Sequence, residues 1–261
     1  MKTSIKYIAN FKTSLDLYNG ITIEKTDLPD SKFEFETNLK QLINETKDNK
    51  NLIWIYIGIE KSDFIEVATR SGFTFHSCNS DYILLVNVLK KDAIVPNLAN
   101  HTLGVGAVVL NDKNEILLIK EHLRNEFYKL PGGYIDDAEM ISTALSREVY
   151  EETGVVAEFK KIVSIGHFYP HQFHKSNLYV LCFAKAKSTK IDIKDKNEIK
   201  EAMWLNIDEL FSRDDIHEYT KAIVESSLNN SGLYKAKTPI LSHLKNEFEL
   251  FFTKEYLEKD E

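Results

Sequence analysis

Apolar positions along the chain fall into two periods. Residues 33–47 carry Phe35, Leu39, Leu42 and Ile43 three and four apart, which predicts an amphipathic helix with Ser31 or Asp30 placed to cap it. Residues 52–57 are a continuous β-branched and aromatic run, which predicts a buried strand. A short strand at 21–24, a helix at 64–70 ended by Ser71 and Gly72, and strands at 73–76 and 82–89 complete a first half of α/β character. Residues 90–101 lose this patterning and gather Lys90, Lys91, Asp92, Pro96, Asn97 and Asn100, which predicts a linker. Beyond it, 104–110 and 115–120 pattern as a strand pair around the turn residues Asn111, Asp112, Lys113 and Asn114. A long helix is expected at 139–153, strands at 160–169, 177–186 and 202–206, and helices at 207–211 and 215–228. A last helix is expected at 239–252, with Leu241, Leu244, Phe248 and Phe251 on one side.

Composition narrows the class. The 261 residues are 43% hydrophobic and 28% charged, values of an ordinary globular protein. Lys and Arg number 33 against 40 Asp and Glu, a net charge of −7, which lacks the basic excess of a general nucleic-acid binder. The longest apolar run, 52–59, is of strand length, and residues 1–6 lack the apolar core of a signal peptide. Two cysteines, Cys78 and Cys182, make neither a disulfide framework nor a Cys-based zinc site, so a cytoplasmic location is expected. The chain holds only ten glycines and five prolines, so a cluster of them carries information.

Such a cluster is Leu130-Pro131-Gly132-Gly133, where adjacent glycines permit close approach of the backbone to a ligand. Glu139 follows, then Arg147, Glu148, Glu151, Glu152 and Gly154. On a helix advancing about 100° per residue, Glu148, Glu151 and Glu152 stand at i, i+3 and i+4 on one flank. Ile141, Leu145 and Val149 form a neighbouring stripe that can pack on a sheet. Three carboxylates so spaced repel one another unless a cation lies between them, and oxygen ligands suit Mg²⁺ or Mn²⁺ rather than zinc. Arg147 is placed to pair with Glu139, and Gly154 to end the helix. His167, His171 and His174 fit no helix face well and do not make a zinc site.

The 23 residues from Gly133 to Val155 match G-x5-E-x7-R-E-U-x-E-E-x-G-U at all nine defined positions, and the chain thereby resembles the Nudix hydrolases. The resemblance implies hydrolysis of a nucleoside diphosphate linked to another group, with Mg²⁺ (or Mn²⁺) as cofactor. It implies Glu151 and Glu152 as principal metal ligands, Glu148 as ligand or orienter of the attacking water, and the Gly133 carbonyl as a backbone ligand. Arg147 is counted with the catalytic glutamates, and Gly132, Glu139 and Gly154 would hold the motif's shape. A further Glu from a late loop is expected. Glu198, six residues before Trp204, is favoured over Glu201. The fold implied is α+β: a Nudix fold over about 101–228, a mixed sheet between helices, preceded by a smaller α/β domain at 1–95 and followed by a helical extension at 229–261.

Trp54, Gly72-Phe73, Phe75-His76 and Ser80-Asp81 resemble the pre-Nudix domain of a two-domain subfamily. That subfamily includes plant ADP-ribose/NADH pyrophosphatases and a vertebrate Nudix protein encoded antisense to a fibroblast growth factor gene. His174-Lys175-Ser176-Asn177-Leu178-Tyr179 resembles its K-S-D-L-Y segment, with Asn177 in place of the usual Asp. The first domain also resembles half of an acyl-CoA N-acetyltransferase, without a glycine-rich pyrophosphate loop. A role in homodimerisation or in shaping the cleft is expected of it.

For the substrate, Pro170 stands 15 residues beyond the motif, where ADP-ribose hydrolases tend to carry a proline. The S-Q-P-W-P-F-P-x-S signature of NADH-type relatives is absent, while the resemblance to the plant proteins keeps NADH in view. Tyr128, Phe168 and Tyr169, with Phe127, are candidates to stack a base, and Arg124 and Lys129 to meet phosphate. The expected partner is a small nucleotide rather than nucleic acid or a membrane. Two other functions fit the motif: removal of a cap or phosphates from an RNA 5′ end, and a non-catalytic nucleotide-sensing module.

Overall fold

The structure, a computed structural model, describes residues 5–123, 126–229, 231–236 and 248–258. It divides into two compact units, Met1–Ala99 and Asn100–Glu261.

The first unit is a six-stranded sheet with two helices. Its elements are β1 (Ile5–Ile8), β2 (Phe11–Leu15), β3 (Gly20–Ile23), α1 (Lys32–Thr46), β4 (Leu52–Gly58), α2 (Phe64–Arg70), β5 (Thr74–Cys78) and β6 (Tyr82–Val88). The strand order is β1-β2-β3-β4-β6-β5, with β3 and β4 parallel and the other pairs antiparallel. Ser31 caps α1, its side chain accepting the Glu34 N–H at 3.1 Å. Phe35, Leu39 and Leu42 are fully buried under the sheet with Phe11 and Phe64. Phe35 stacks on Phe64 at 4.5 Å and meets Phe11 edge-on at 6.1 Å. The hairpin β1–β2 has no signal in the sequence. Its first strand lies at the sheet edge, exposed along most of its length, and its turn uses Ala9 and Asn10 at positive φ instead of a glycine.

The second unit contains β7 (His101–Leu110), β8 (Glu115–Glu121), β9 (Gly132–Tyr134), α3 (Ile141–Thr153), β10 (Ala157–Phe168), β11 (Ser176–Ala186) and β12 (Ile199–Asn206). These are followed by α4 (Ile207–Leu210), α5 (Glu218–Asn229), β13 (Leu233–Lys235), β14 (Phe251–Thr253) and α6 (Lys254–Leu257). The sheet order is β12-β8-β7-β11-β10-β13-β14, with β9 also paired to β7. Strands β7 and β11 run parallel over ten pairs, from His101↔Ser176 to Leu110↔Lys185, in an otherwise antiparallel sheet.

Alternation along β7 decides what covers each face. Val105, Ala107 and Val109 point to α3, where Ala144, Leu145 and Val149 are buried. Val108 and Leu110 point the other way, to Leu210 and to Ile223 and Val224 of α5. The result is a mixed sheet between helices, the α+β class expected.

Gly132 and Gly133, the adjacent glycines expected to permit close backbone approach, lie in strand β9. Gly132 has φ +147°, and a Cβ there would stand 2.1 Å from the Val105 carbonyl oxygen, so only glycine lets β9 pack so close to β7. One local outcome differs from the pattern: the helix expected at 239–252 is absent from its described end. Phe251 and Phe252 lie in β14, paired with β13, and Phe251 packs edge-on against Phe159 at 5.6 Å. Phe251 thus finds its apolar partner on the sheet. Residues 237–247 lie outside the described residues. No described helix is long and apolar enough to cross a membrane.

Candidate active site

Helix α3 carries most of the charged motif. Gly154 ends it in the left-handed conformation, φ +73°, where a Cβ would stand 2.4 Å from the Asp192 carbonyl oxygen. The stripe Leu145 and Val149 is buried against the sheet, which turns Glu148 and Glu152 toward β9. The Glu152 carboxylate accepts the Gly132 N–H at 2.7 Å, in a buried contact.

Arg147 binds the strand-loop-helix segment together. Its Nε and one Nη give a fork to Glu139 at 2.9 and 2.7 Å, and the same Nη donates to the Tyr134 carbonyl at 3.0 Å. The other Nη reaches Glu148 at 2.9 Å and Glu151 at 3.1 Å. The Glu139 bond pushes the guanidinium pKa up, and the same bond holds the Glu139 carboxyl below its ordinary range. Glu139, Glu148 and Glu151 are therefore fixed in place by one cation.

The end of α3 also positions a loop. The carbonyl of Glu151 accepts N–H bonds from Lys194 and Asp195 at 3.0 and 2.9 Å, and Thr153 accepts from Asp192 at 2.8 Å. These bonds satisfy helix carbonyls that have no partner within the helix. Asp195 in turn accepts the N–H groups of Asn197 and Glu198, each at 3.1 Å. The His122 N–H donates to the Glu198 carbonyl at 2.9 Å, and Ile199 pairs with Glu121 across β12 and β8.

That register brings in a residue the sequence did not single out. Glu121, at the end of β8, offers a carboxylate oxygen that lies with one each of Glu152 and Glu198 inside a 4.8 Å group. Glu121 and Glu152 are buried and Glu198 is exposed. Lys129, bridged to Ile119 on the neighbouring strand, ion-pairs with Glu121. Burial pushes the Glu152 carboxyl up to about 8, with Lys129 and the Gly132 N–H pulling it down and Glu148 and Glu198 pushing it further up. Burial also raises Glu148, against the pull of Arg147. In sequence, Glu121 is a lone acidic residue ending a strand. No spacing rule ties it to Glu152, 31 residues away, since the tie is a strand register.

Glu121, Glu148 and Glu198 line one side of a cavity of about 670 Å³, shared with the Gly132–Gly133 backbone and Lys129, with Glu152 buried behind them. Phe168, Pro170, Asn177 and Tyr179 form another part of its wall, and Tyr219, Thr220 and Ile223 of α5 a third. Phe168 and Pro170, two of the candidate substrate contacts, thus lie in the cavity wall. Tyr169 is 70% exposed and lies outside the cavity lining, and Arg124 lies outside the described residues. Tyr128 is also elsewhere. It is buried in the core with Ile216, under Lys120 and Arg213 at 5.2 and 5.5 Å, and burial and its bond to Glu201 push the phenol up to about 12. Extended backbone sends adjacent side chains to opposite faces, so placing Lys129 in the cavity puts Tyr128 in the core. Glu201 is committed to that tyrosine and stands apart from the cluster. Phe127 meets His217 edge-on at 5.9 Å.

Fold and site together define an α+β protein with a partly buried, oxygen-only acidic cluster suited to a hard divalent cation. The NUDIX domain model matches residues 100–226, and a model described as Nudix hydrolase domain matches residues 11–89. Nudix hydrolase 8 of Arabidopsis thaliana is 30% identical over 216 residues, 80% of this chain and 58% of that protein. Nudix hydrolase 2 of the same plant is 30% identical over 234 residues, 86% of this chain and 84% of that one. Human nucleoside diphosphate-linked moiety X motif 6 is 30% identical over 207 residues, 75% of this chain and 65% of the relative. The match spans less than two thirds of the first and third of these relatives. The chain belongs to the Nudix hydrolase family, in the two-domain group with an N-terminal domain.

Proposed function

We propose that the protein hydrolyses the pyrophosphate bond of a nucleoside diphosphate derivative, ADP-ribose or NADH foremost, releasing AMP in a Mg²⁺-dependent reaction. The observation that carries this reading is the convergence of Glu121, Glu152 and Glu198 on one end of a cavity that Glu148 also lines. The donor set fits the ion. It is all carboxylate and carbonyl oxygen, and the burial that raises Glu152 and Glu148, with a smaller push from neighbouring carboxylates, is a cost a bound cation offsets. Glu152, Glu198, Glu148, Glu151 and the Gly133 carbonyl would hold it, with Glu121 added to the set the motif implies. When bound, such an ion neutralises charge on phosphate oxygens and activates water.

The remaining roles belong to the chain. Arg147 positions Glu148 and Glu151 and is itself saturated by them, by Glu139 and by the Tyr134 carbonyl. Glu148, steadied at 2.9 Å by Arg147, orients the attacking water. Lys129 supplies a cation beside the phosphates. Phe168 and Pro170 offer an apolar surface to the nucleoside. Pro170 at its motif offset, now in the cavity wall, is the support for ADP-ribose.

The test is a panel of ADP-ribose, NADH, other nucleotides and capped RNA with Mg²⁺ or Mn²⁺. The wild type releases AMP from the first two, and Glu152→Gln lowers kcat by orders of magnitude. Undiminished turnover in Glu152→Gln removes the site assignment, and preferential turnover of capped RNA replaces the substrate.

A further inference from the structure

The cavity wall away from the carboxylates holds a polar atom with nothing to bond. Asn177 is 7% exposed, and its Oδ1 is buried without a hydrogen-bond partner. Leaving a buried acceptor unpaired costs about 1–3 kcal/mol, so a folded protein that keeps one in a cavity wall calls for an explanation. His171 Nδ1, in the same wall, is a second buried atom without a partner.

The sheet gives the distance from the reacting end. Glu152 is bonded to Gly132, Gly132 pairs with Gly106, and Gly106 pairs with Leu181. Asn177 pairs with Thr102, four residues back along both β7 and β11. At roughly 3.3 Å per residue this is about 13 Å, the reach of an extended nucleoside beyond its phosphate. Asn177, Tyr179 and Leu181 alternate onto one face of β11, and all three line the cavity. Beside Asn177, in register, stands Phe168, whose ring meets Tyr219 edge-on at 6.2 Å. Both rings line the cavity and are 41% and 46% exposed. An aromatic surface next to an unpaired amide, one nucleoside away from a phosphate site, is what a planar base with an amine on its edge requires.

Resting on the pyrophosphatase reading of this site, we propose that Asn177 is a specificity-determining residue that reads the 6-amino edge of adenine, with the base held against Phe168 and Tyr219. An amide places an acceptor and a donor side by side, which matches the N6 amine and N7 of adenine. A 6-oxo purine presents two acceptors on that edge and leaves Oδ1 unpaired. The neutral amide also adds no negative charge to a cavity that already faces phosphates with four carboxylates.

AMP and IMP share every group except those at the purine 6-position and its neighbouring nitrogen, so they isolate this contact. Calorimetry on the full chain with Mg²⁺ measures both mononucleotides against wild type, Asn177→Leu and Asn177→Ala. The wild type binds AMP about tenfold more tightly than IMP, and both variants bring the two to parity. The ratio of kcat/KM for ADP-ribose over its hypoxanthine counterpart moves in the same way. A wild type that binds neither mononucleotide, or both equally, overturns the proposal, as does a variant that keeps the preference. The wild-type ratio stands without any variant having to fold. Mononucleotide binding needs no turnover, so loss of the pyrophosphatase reading shows in the substrate panel and loss of the adenine reading shows here.

Discussion

The Glu249 carboxylate caps the first turn of α3 from 107 residues away, accepting both the N–H of Ser142, at 3.3 Å, and its hydroxyl. Met140, at the N-cap position of that helix, has no side chain to do so. Lys235 of β13 completes the contact at 2.7 Å. The helix that carries the acidic motif thus takes its cap from the C-terminal segment, where a carboxylate also meets the positive end of the helix dipole. Burial pushes the Glu249 carboxyl up, but Lys235 and Ser142 outweigh it and hold the group below its ordinary value of 4.5.

The first prediction concerns this cap. Glu249→Gln lowers stability by about 1 kcal/mol, and Ser142→Ala adds little further in the double variant, since both remove one contact. Because the folded pKa lies below 4.5, this stabilisation is present above pH 4.5 and is lost as pH falls through the folded value. Denaturant titrations between pH 3 and 7 on the four proteins of the cycle measure both effects. Additive losses in the double variant would show the contact to be idle.

Glu152 predicts the opposite slope. Its folded pKa of about 8 exceeds the ordinary 4.5, so between these values the unfolded chain gives up a proton that the metal-free folded protein retains. Stability in a chelator therefore declines as pH rises from about 4.5 to 8, at up to about 1.4 kcal/mol per pH unit from this group. Glu152→Gln flattens that decline. Added Mg²⁺ or Mn²⁺ raises the melting temperature most at the alkaline end. Melting curves across this range, with chelator and with metal, give the result; a variant that declines as steeply as the wild type contradicts the assignment.

Asp195 predicts a loss confined to the site. It is half-buried and lies outside the lining of the cavity, yet its carboxylate holds the N–H groups of Asn197 and Glu198. Asp195→Ala lowers Mn²⁺ affinity and kcat by about tenfold while costing about 1 kcal/mol of stability. Metal titration beside thermal melting separates the two. Unchanged Mn²⁺ affinity would show that Glu198 needs no such support.

Gly132→Ala predicts a folding defect. The Cβ would collide with the Val105 carbonyl at 2.1 Å, and φ +147° disfavours any L side chain. The variant loses at least about 2 kcal/mol, together with the bond from the Gly132 N–H to Glu152. A melting temperature within a degree or two of wild type would mean that β9 can move away from β7 at little cost.

What could be derived from sequence is what depends on neighbours a few residues apart. The helix that places Glu148, Glu151 and Glu152 on one flank follows from its period, as do its Arg147–Glu139 brace and its Gly154 end. So do α1 with its Ser31 cap and the buried run of β4, because spacing and capping are local properties of a chain. The tertiary structure decided what depends on register and burial. Glu121 joins Glu152 and Glu198 only because β8 pairs with β12, and a strand pairing is invisible to a window of sequence. Tyr128 went to the core and Lys129 to the cavity by the alternation of one short extended segment, whose phase no local pattern sets. Gly132-Gly133 signalled a close backbone approach, but that the approach is of β9 to β7 was set by the pairing, where a neighbouring carbonyl occupies the space of a side chain. Phe251 left its helical pattern because an apolar ring gains more from burial against Phe159 than a helix of that length gains from its own bonds.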